Sequence, residues 1–232
     1  MFRSGSSLLQ GTSRERGARG SDRRPLWNHN IHFHRVVLEA IPAGATSALD
    51  VGTGDGMLSA ELRGVVTDVV AIDLDAQVLR RAEAEHSGIV WVNDDVMTHD
   101  FGQSFDVVAS VATLHHLPDL RSALDRLADL TAPGGVLVIV GLARASTPWD
   151  LVVALVGVVQ HQWLSRKRRA WEHSAPTAAP EHSYRQVRQI ARETLPGVRW
   201  RRFALWRYAL IWHRRRRAEE RTGMVAIFAF MF

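Results

Sequence analysis

The chain contains no cysteine among its 232 residues. It therefore has no disulfide framework and no thiolate metal site. The absence also excludes catalysis by a cysteine nucleophile and any iron–sulfur cluster held by cysteines. Long apolar runs are missing too, because the longest, residues 151–159, falls far short of the ~18–20 apolar residues that span a bilayer.

We expect no N-terminal signal sequence, because Arg3 is followed by Ser4 and Gly5 and not by an apolar core. We therefore expect a cytoplasmic protein. The composition is that of a soluble globular domain, with 46% hydrophobic and 23% charged residues. The length predicts one domain with additional segments.

The net charge of +5 is concentrated at the two ends. Residues 1–24 hold six Arg against two acids, and residues 213–232 hold five Arg against two acids, so the ends carry +4 and +3 and leave −2 for residues 25–212. We expect residues 1–24 to be a disordered basic extension, 25–212 the folded domain and 213–232 a C-terminal tail. Such tails are most often solvated, so we do not expect a nucleic-acid partner.

A glycine-rich turn follows the apolar strand that ends at residue 51. The motif is D-x-G-x-G-x-G, formed by Asp50, Gly52, Gly54 and Gly56. Alternate glycines let the backbone approach a ligand, and the next helix offers free N–H groups to it. The dinucleotide fingerprint G-x-G-x-x-G is absent, since Met57 occupies the position of its third glycine.

Short apolar strands alternate with amphipathic helices from residue 48 to residue 140, which predicts an α/β fold with a doubly wound parallel sheet. We expect a helix over 27–41, and then strands and helices in alternation. The predicted strands cover 48–51, 68–73, 89–92, 105–110 and 136–140, and the predicted helices 57–63, 76–85 and 120–130. Two further runs, 198–203 and 206–212, predict a hairpin with a two-residue connection at one sheet edge.

The motif and this order of elements resemble class I S-adenosylmethionine-dependent methyltransferases, in particular the small-molecule, methyltransferase type 11/12-like domain. The resemblance covers residues 46–142 closely and 181–212 loosely. It implies a Rossmann-like, mostly parallel seven-stranded sheet of order 3-2-1-4-5-7-6, with the last strand antiparallel. It implies S-adenosylmethionine as cofactor, held by the loop of Gly52, Thr53, Gly54 and Gly56.

Acidic residues follow the second and third strands. Asp73 ends the second strand, where a carboxylate can accept hydrogen bonds from both hydroxyls of a ribose. Asp75 is the better candidate for the N-cap of the next helix. The resemblance assigns Leu74 to one face of the adenine, and Asp95 with Val96 to its amine and other face. Asp94 is the alternative to Asp95.

Three further positions come from the resemblance. Asp50 either approaches the amino group of the cofactor or holds the glycine loop through backbone N–H groups. Ser110 ends the fourth strand, where backbone carbonyls face the methionine part of the cofactor. His116 is the candidate catalytic residue, as a base or a positioning group, since histidine titrates near working pH. A packing role for His116 is the alternative.

Segments on either side of the alternating region predict a cover and an acceptor site. His29 and His32 share one helix face, but no carboxylate motif accompanies them, so we predict a lid and no metal site. Residues 143–197 form a long insert before the hairpin, which we expect to shape the substrate site. The insert supplies Trp163, Trp171 and Tyr184 as candidate walls for an aromatic or apolar acceptor, with ordinary packing as the alternative.

The predicted function is methyl transfer from S-adenosylmethionine to a small-molecule acceptor. Amino-directed nucleic-acid methyltransferases carry an Asn/Asp-Pro-Pro-aromatic motif after strand four, and this chain has Ser-Val-Ala-Thr there. The missing cysteine excludes the nucleophile of pyrimidine C5 methylation. Two alternatives remain: a nucleic-acid or protein methyltransferase, and a non-catalytic protein that binds the cofactor.

Overall fold

The computed structural model describes residues 26–27, 29–167, 169–170 and 179–216. The helices are α1 (His29–Leu38), α2 (Met57–Arg63), α3 (Ala76–Glu85), α4 (Leu120–Leu130), α5 (Pro148–Lys167) and α6 (Tyr184–Thr194), with a 3-10 turn at Leu114–His116. The strands are β1 (Leu26–Trp27), β2 (Ser47–Val51), β3 (Asp68–Asp73), β4 (Val90–Asn93), β5 (Phe105–Val111), β6 (Thr131–Gly141), β7 (Arg169–Ala170), β8 (Arg199–Arg202) and β9 (Tyr208–His213).

Seven strands form the main sheet, in the order β4-β3-β2-β5-β6-β9-β8. Counted along the chain within this sheet, the order is 3-2-1-4-5-7-6, as predicted. The strands from β4 to β6 pair in parallel, and β9 runs antiparallel to both β6 and β8. β1 and β7 pair separately as a two-stranded parallel ribbon. The predicted fold class is confirmed.

Helices cover both faces of the sheet, because its central strands are apolar on both sides. On one face α4 and α6 contribute Leu124, Leu127, Val187 and Ala191 to a buried cluster with β5 and β6. On the other face α1 and α2 contribute Val37, Leu58 and Leu62 to a second cluster. The carboxyl ends of β2, β3, β4, β5 and β6 therefore meet along one edge, where parallel α/β sheets bind ligands.

The predicted bounds of α2, β3, α3 and α4 agree with the structure. The predicted two-residue hairpin connection is wrong. Residues 203–207 link β8 to β9, and the Phe203 N–H donates to the Arg207 carbonyl at 2.9 Å. Trp206 has φ 56°, which breaks the strand that the apolar pattern predicts from residue 206. Arg207 consequently lies in the connection and not within β9.

The C-terminal end of the folded domain lies further along the chain than the predicted boundary at residue 212. β9 reaches His213, and Arg214 is bound to the domain, since its Nη1 donates to the carbonyls of Ala128, Asp129 and Thr131 at 3.2, 3.2 and 2.8 Å. The remaining tail predictions, for residues 1–24 and from 217 onward, fall outside the described residues. None of the described helices has the length and apolar character needed to cross a membrane.

Candidate functional site

A cavity of about 450 Å³ opens at the carboxyl edge of the sheet. Its wall is formed by the loops after β2, β3, β4 and β5, by α1, by Leu142 after β6 and by Arg207 before β9. Nine predicted site residues line it: Asp50, Gly52, Thr53, Gly54, Asp73, Leu74, Asp95, Val96 and His116. The topology thus brings residues from all parts of the domain to one site.

The glycine loop forms the floor of the cavity below the N-terminus of α2. Gly52 and Gly54 have φ 70° and 54°, in the left-handed region that favours glycine. A Cβ on Gly52 would lie 2.1 Å from Thr113 Oγ1, whereas a Cβ on Gly54 would have no neighbour within 4 Å. Gly52 is therefore required for packing, and Gly54 leaves the cavity open to a ligand.

Gly56 has a different role from the other two glycines. Its position does not line the cavity, and a Cβ there would lie 2.6 Å from the ring of Trp91. It is the N-cap residue of α2, and its φ of 75° lies in the left-handed region. Gly56 therefore serves close packing of the turn, and its assignment to cofactor binding stays a prediction without a cavity contact.

Asp50 is buried beneath the loop, with 2% of its surface exposed. Its Oδ2 accepts hydrogen bonds from Thr53 Oγ1 at 2.9 Å and from Ser59 Oγ at 2.6 Å. Burial raises the pKa of Asp50, and the two hydroxyls oppose that rise. Asp50 holds the loop through these side-chain hydroxyls, where one of our two alternatives named backbone N–H groups. The other alternative, an approach to the amino group of the cofactor, stays a prediction. The sequence analysis missed Ser59.

Asp73 joins the end of β3 to the glycine loop. Its Oδ2 accepts from the Gly54 N–H at 2.9 Å, and its Oδ1 accepts from the Asp75 N–H at 3.0 Å. Asp75 caps α3, since its Oδ1 accepts from the N–H groups of Gln77 and Val78. The predicted N-cap role of Asp75 is confirmed. Both acids line the cavity, and the ribose-binding role of Asp73 stays a prediction.

The loop after β4 supplies two acids and a buried valine. Asp94 Oδ2 contacts His99 Nδ1 at 2.8 Å, which lowers the pKa of Asp94. Asp95 Oδ1 accepts from the Met97 N–H at 2.9 Å and carries no such ion pair in the described residues. Val96 is 5% exposed. Asp95 is therefore the acid with more capacity for a ligand, which favours it over Asp94.

The loop after β5 is strained at the cavity wall. Ala112 has φ 59° although it is not glycine, and its N–H donates to the Val140 carbonyl at 2.7 Å. Ser110 does not line the cavity; it is fully buried, and its hydroxyl has no hydrogen-bond partner among the described residues. Val111, Ala112 and Thr113 form the wall instead. The role of the Ser110 carbonyl stays a prediction.

Two histidines occupy the 3-10 turn after this loop, with ring centroids 4.0 Å apart. His116 is exposed at the cavity edge. His115 is half-buried, its Nδ1 has no partner in the described part of the chain, and burial lowers its pKa to about 4, with smaller effects of His116 and Arg207. His115 is neutral at physiological pH. The sequence analysis chose His116 and missed His115.

α1 lines the cavity with Asn30, Ile31 and His34, and the role of this helix as a lid stays a prediction. His34 is 4% exposed, and its Nδ1 contacts Glu61 Oε1 at 3.1 Å, which ties α1 to α2. Within the described residues no group of three or more His, Cys, Asp or Glu side chains could hold a metal ion.

Arg207 is the charged residue that sequence reasoning missed. It is 7% exposed, lines the cavity, and its Nη2 donates to Asn30 Oδ1 at 3.0 Å. Burial lowers its pKa to about 10, and its Nε has no partner among the described residues. A single arginine in the apolar run 203–212 was the available signal, because a strand facing a core does not bury an arginine without a reason.

A second cavity of about 160 Å³ adjoins the first and shares His115, His116, Leu117 and Leu142 with it. Pro180, Glu181 and His182 form its outer wall, so the end of the predicted insert does reach the site. The aromatic walls expected from the insert are not seen. Trp163 and Tyr184 line neither of these two cavities, and Trp171 lies outside the described residues.

A family model described as a methyltransferase domain matches residues 49–139. An uncharacterised methyltransferase of Mycobacterium tuberculosis (strain ATCC 25618 / H37Rv) is 38% identical over 190 residues, which cover 80% of this chain and 96% of that protein. A ubiquinone biosynthesis O-methyltransferase of Xanthomonas axonopodis pv. citri is 36% identical over 142 residues, 58% of each chain.

Among solved structures, the N-methyltransferase NodS from Bradyrhizobium japonicum WM9, in complex with S-adenosyl-L-homocysteine, matches with a TM-score of 0.52 and 20% identity over 79% of this chain and 86% of NodS. An O-methyltransferase family protein from Burkholderia thailandensis matches with a TM-score of 0.58 and 19% identity, covering 81% of this chain and 57% of that protein. These structures show that the fold is shared.

Proposed function

Because the chain belongs to the family of class I S-adenosylmethionine-dependent methyltransferases, we propose that it transfers a methyl group from S-adenosylmethionine to a small-molecule acceptor. The observation that carries the proposal is the cavity of about 450 Å³, which joins the acids after β3 and β4 to α1 and Arg207. A covered cavity of this size suits a cofactor with a small acceptor. The relatives named ubiquinone biosynthesis O-methyltransferases support the same acceptor class.

The residues on the β2–β4 side fit a nucleoside cofactor. Gly54 leaves space at the loop, where a Cβ would meet nothing within 4 Å. Asp73 has lone pairs beyond the two that accept backbone N–H groups, so it can receive the ribose hydroxyls. Leu74 and Val96 offer apolar surface, and Asp95 offers a carboxylate to an exocyclic amine. We propose Asp73, Leu74, Asp95 and Val96 as the nucleoside site.

When bound, S-adenosylmethionine supplies a methyl group that its sulfonium already activates. The work of the chain is then to bind, align and exclude water. Alignment of two reactants within one site can lower the activation barrier by about 7–11 kcal/mol. α1 contributes to the wall of the cavity, and the hydrogen bonds from Thr53 and Ser59 to Asp50 hold the glycine loop in place.

Proton transfer is needed only for an acceptor that keeps its proton until it reacts. We retain His116 as the candidate base, since it lies exposed at the cavity edge, where a proton can pass to solvent. His115 serves as a neutral positioning group, because its lowered pKa of about 4 makes it a weak base. A cytoplasmic location stays a prediction from the N-terminal sequence.

The test is incubation with methyl-labelled S-adenosylmethionine and three acceptor pools: small molecules of a cell extract, total RNA and total protein. The proposal expects label in the small-molecule pool, and no label from a Gly54→Val variant. Label confined to RNA or protein would replace the small acceptor with a macromolecule. Cofactor binding without label in any pool would indicate the non-catalytic alternative.

A further inference from the structure

Arg207 is a buried cation without a matching anion in the described part of the chain. It is 7% exposed, and burial is the one cause of its lowered pKa of about 10, so no nearby carboxylate counteracts that shift. Its Nη2 donates to the neutral amide of Asn30 at 3.0 Å. Its Nε is buried without a hydrogen-bond partner among the described residues. An unmatched buried charge is costly, so its retention requires an explanation.

The neighbours of Arg207 do not neutralise it. His115 lies close enough for Arg207 to lower its pKa, and it is neutral. Leu142 is apolar, and Asn30 carries no charge. Glu181 lies on the adjoining smaller cavity and forms no ion pair with Arg207 in the described residues. We refer to Arg207, Asn30, His115 and Leu142 as the Arg207 corner.

The acids of the large cavity are engaged elsewhere. Asp50 binds two hydroxyls, Asp73 and Asp95 accept backbone N–H groups, Asp75 caps α3, Asp94 contacts His99, and Asp55 lies 3.9 Å from Arg81. All of them lie in β2 or β3, or in the loops after β2, β3 and β4. Among the described residues, therefore, none of the cavity acids compensates Arg207, which leaves its charge available to the negative group of a ligand.

The position of Arg207 along the sheet edge separates it from the nucleoside site. Arg207 directly precedes Tyr208, which pairs with Gly141 at the carboxyl end of β6. In the order β3-β2-β5-β6-β9, three strand spacings of about 4.8 Å put β9 roughly 14 Å from β2. This distance separates the Arg207 corner from the glycine loop and from the proposed nucleoside site.

We propose that the acceptor of this methyltransferase is an acid, and that its carboxylate binds the Arg207 guanidinium, which Asn30 holds in place. This inference rests on the proposed function, because only a methyltransferase has a methyl acceptor. Binding of a carboxylate at Arg207 does not itself depend on catalysis. A guanidinium presents a fork of N–H donors that suits a carboxylate. The neutral His115 and apolar Leu142 then lie against the body of the acid.

The first test measures the site without turnover. Benzoate is the probe, and benzamide, its uncharged analogue, is the control. In the presence of saturating S-adenosylhomocysteine, benzoate should raise the Tm of the parent and of Arg207→Lys, and benzamide should not. Arg207→Gln should lose this effect. Equal responses of parent and Arg207→Gln, including no response in either, would overturn the proposal.

The second test separates the acceptor from the cofactor, which also has a carboxylate. The Kd of S-adenosylhomocysteine should be unchanged within about threefold in Arg207→Gln. A larger loss would assign Arg207 to the amino-acid part of the cofactor and overturn the proposal. Without ligand, Arg207→Gln should be at least as stable as the parent, since it removes an unmatched buried charge; a purely structural arginine would leave the variant less stable.

The third test uses labelled methyl transfer to small molecules that have been separated on an anion-exchange resin. The acceptor should be in the retained, anionic fraction. The KM for it should rise about 10- to 100-fold in Arg207→Gln, the scale of one hydrogen bond to a charged group, with partial rescue in Arg207→Lys. An acceptor in the neutral fraction would overturn the carboxylate proposal and leave the methyltransferase proposal intact. Conversely, a benzoate response without any transfer would leave the site standing and count against the proposed function.

Discussion

The two halves of the cavity differ in how their charged groups are satisfied. On the β2–β4 side, which we refer to as the glycine-loop half, the acids already accept hydrogen bonds from the chain, as Asp73 does from Gly54 at 2.9 Å. On the β5–β9 side, which contains the Arg207 corner, His115 Nδ1 and Arg207 Nε have no partners among the described residues. One half is complete before a ligand binds, and the other is completed by the ligand.

This difference explains how binding and specificity can be divided within one domain. The glycine-loop half is built from strand ends and short loops, so its geometry comes with the fold and suits a cofactor used throughout the family. The β5–β9 side, which we refer to as the Arg207 half, combines Arg207 with Asn30. Asn30 lies on α1, far from Arg207 in the chain. Changes in such a half alter the acceptor without disturbing the sheet.

The largest effect is expected from Gly54→Val in the glycine-loop half. The added side chain would fill the space that Gly54 leaves open, so binding of S-adenosylhomocysteine should be lost. Gly102→Val is the matched control, since Gly102 also has positive φ (64°) and no neighbour within 4 Å, but does not line the cavity. Both variants should lose about 1–2 kcal/mol of stability from backbone strain. Calorimetry that finds normal binding in Gly54→Val would remove the loop from the site.

The sequence predicted the glycine-loop half well because its determinants are local. Asp50, Gly52 and Gly54 lie within five residues of one another. The end of a strand locates Asp73, and the start of the next helix locates Asp75. The bounds of α2, β3 and α3 follow from periodicity and caps for the same reason. Gly56 and Ser110 show the limit, since their distance from the cavity depends on packing against other elements.

The Arg207 half was largely missed because its determinants are tertiary. The apolar run before Tyr208 predicts a strand, and apart from the single arginine in it nothing local indicates that residues 203–207 leave the sheet. The neutral state of His115 depends mainly on its burial, which a sequence does not reveal. Tyr184 was expected at the acceptor, but it packs under Arg202, whose Cζ lies 3.0 Å from the ring centroid. Aromatic content alone did not separate packing from binding.

Asp73→Ala should have the next largest effect, because its carboxylate binds both the loop and, in our proposal, the ribose. We expect cofactor binding to weaken by about 1.5–3 kcal/mol, or roughly 10- to 150-fold. Asp75→Ala is the control: it removes an N-cap, so it should cost about 1 kcal/mol of stability and leave binding unchanged. Binding lost in Asp75→Ala and kept in Asp73→Ala would show that the two roles are exchanged.

His115 should make stability dependent on pH. Its pKa is lowered in the folded protein from 6.5 to about 4, so the folded state binds fewer protons than the unfolded state between these values. Its contribution is complete above pH 6.5 and is lost as the pH falls toward 4. Tm measured at pH 7.5 and pH 5 should therefore fall less in His115→Gln than in the parent. Parallel falls in both proteins would mean that His115 does not titrate this way.

The smallest effect is expected from changes at the basic ends of the sequence. Changing the arginines of residues 1–24 and Arg215, Arg216 and Arg217 to serine should leave methyl transfer intact, because residues 25–212 carry a net −2, which does not favour binding to a phosphate backbone. Arg214 is kept, since it binds three carbonyls at the end of α4. Loss of transfer with intact cofactor binding would favour a nucleic-acid acceptor.

The most direct test of the account is isothermal titration of the parent protein with S-adenosylhomocysteine and, separately, with NAD. The glycine-loop half, with Gly56 one position too early for a dinucleotide fingerprint and Asp73 beside the loop, predicts a micromolar Kd for S-adenosylhomocysteine and no heat with NAD. Heat with NAD and none with S-adenosylhomocysteine would contradict it.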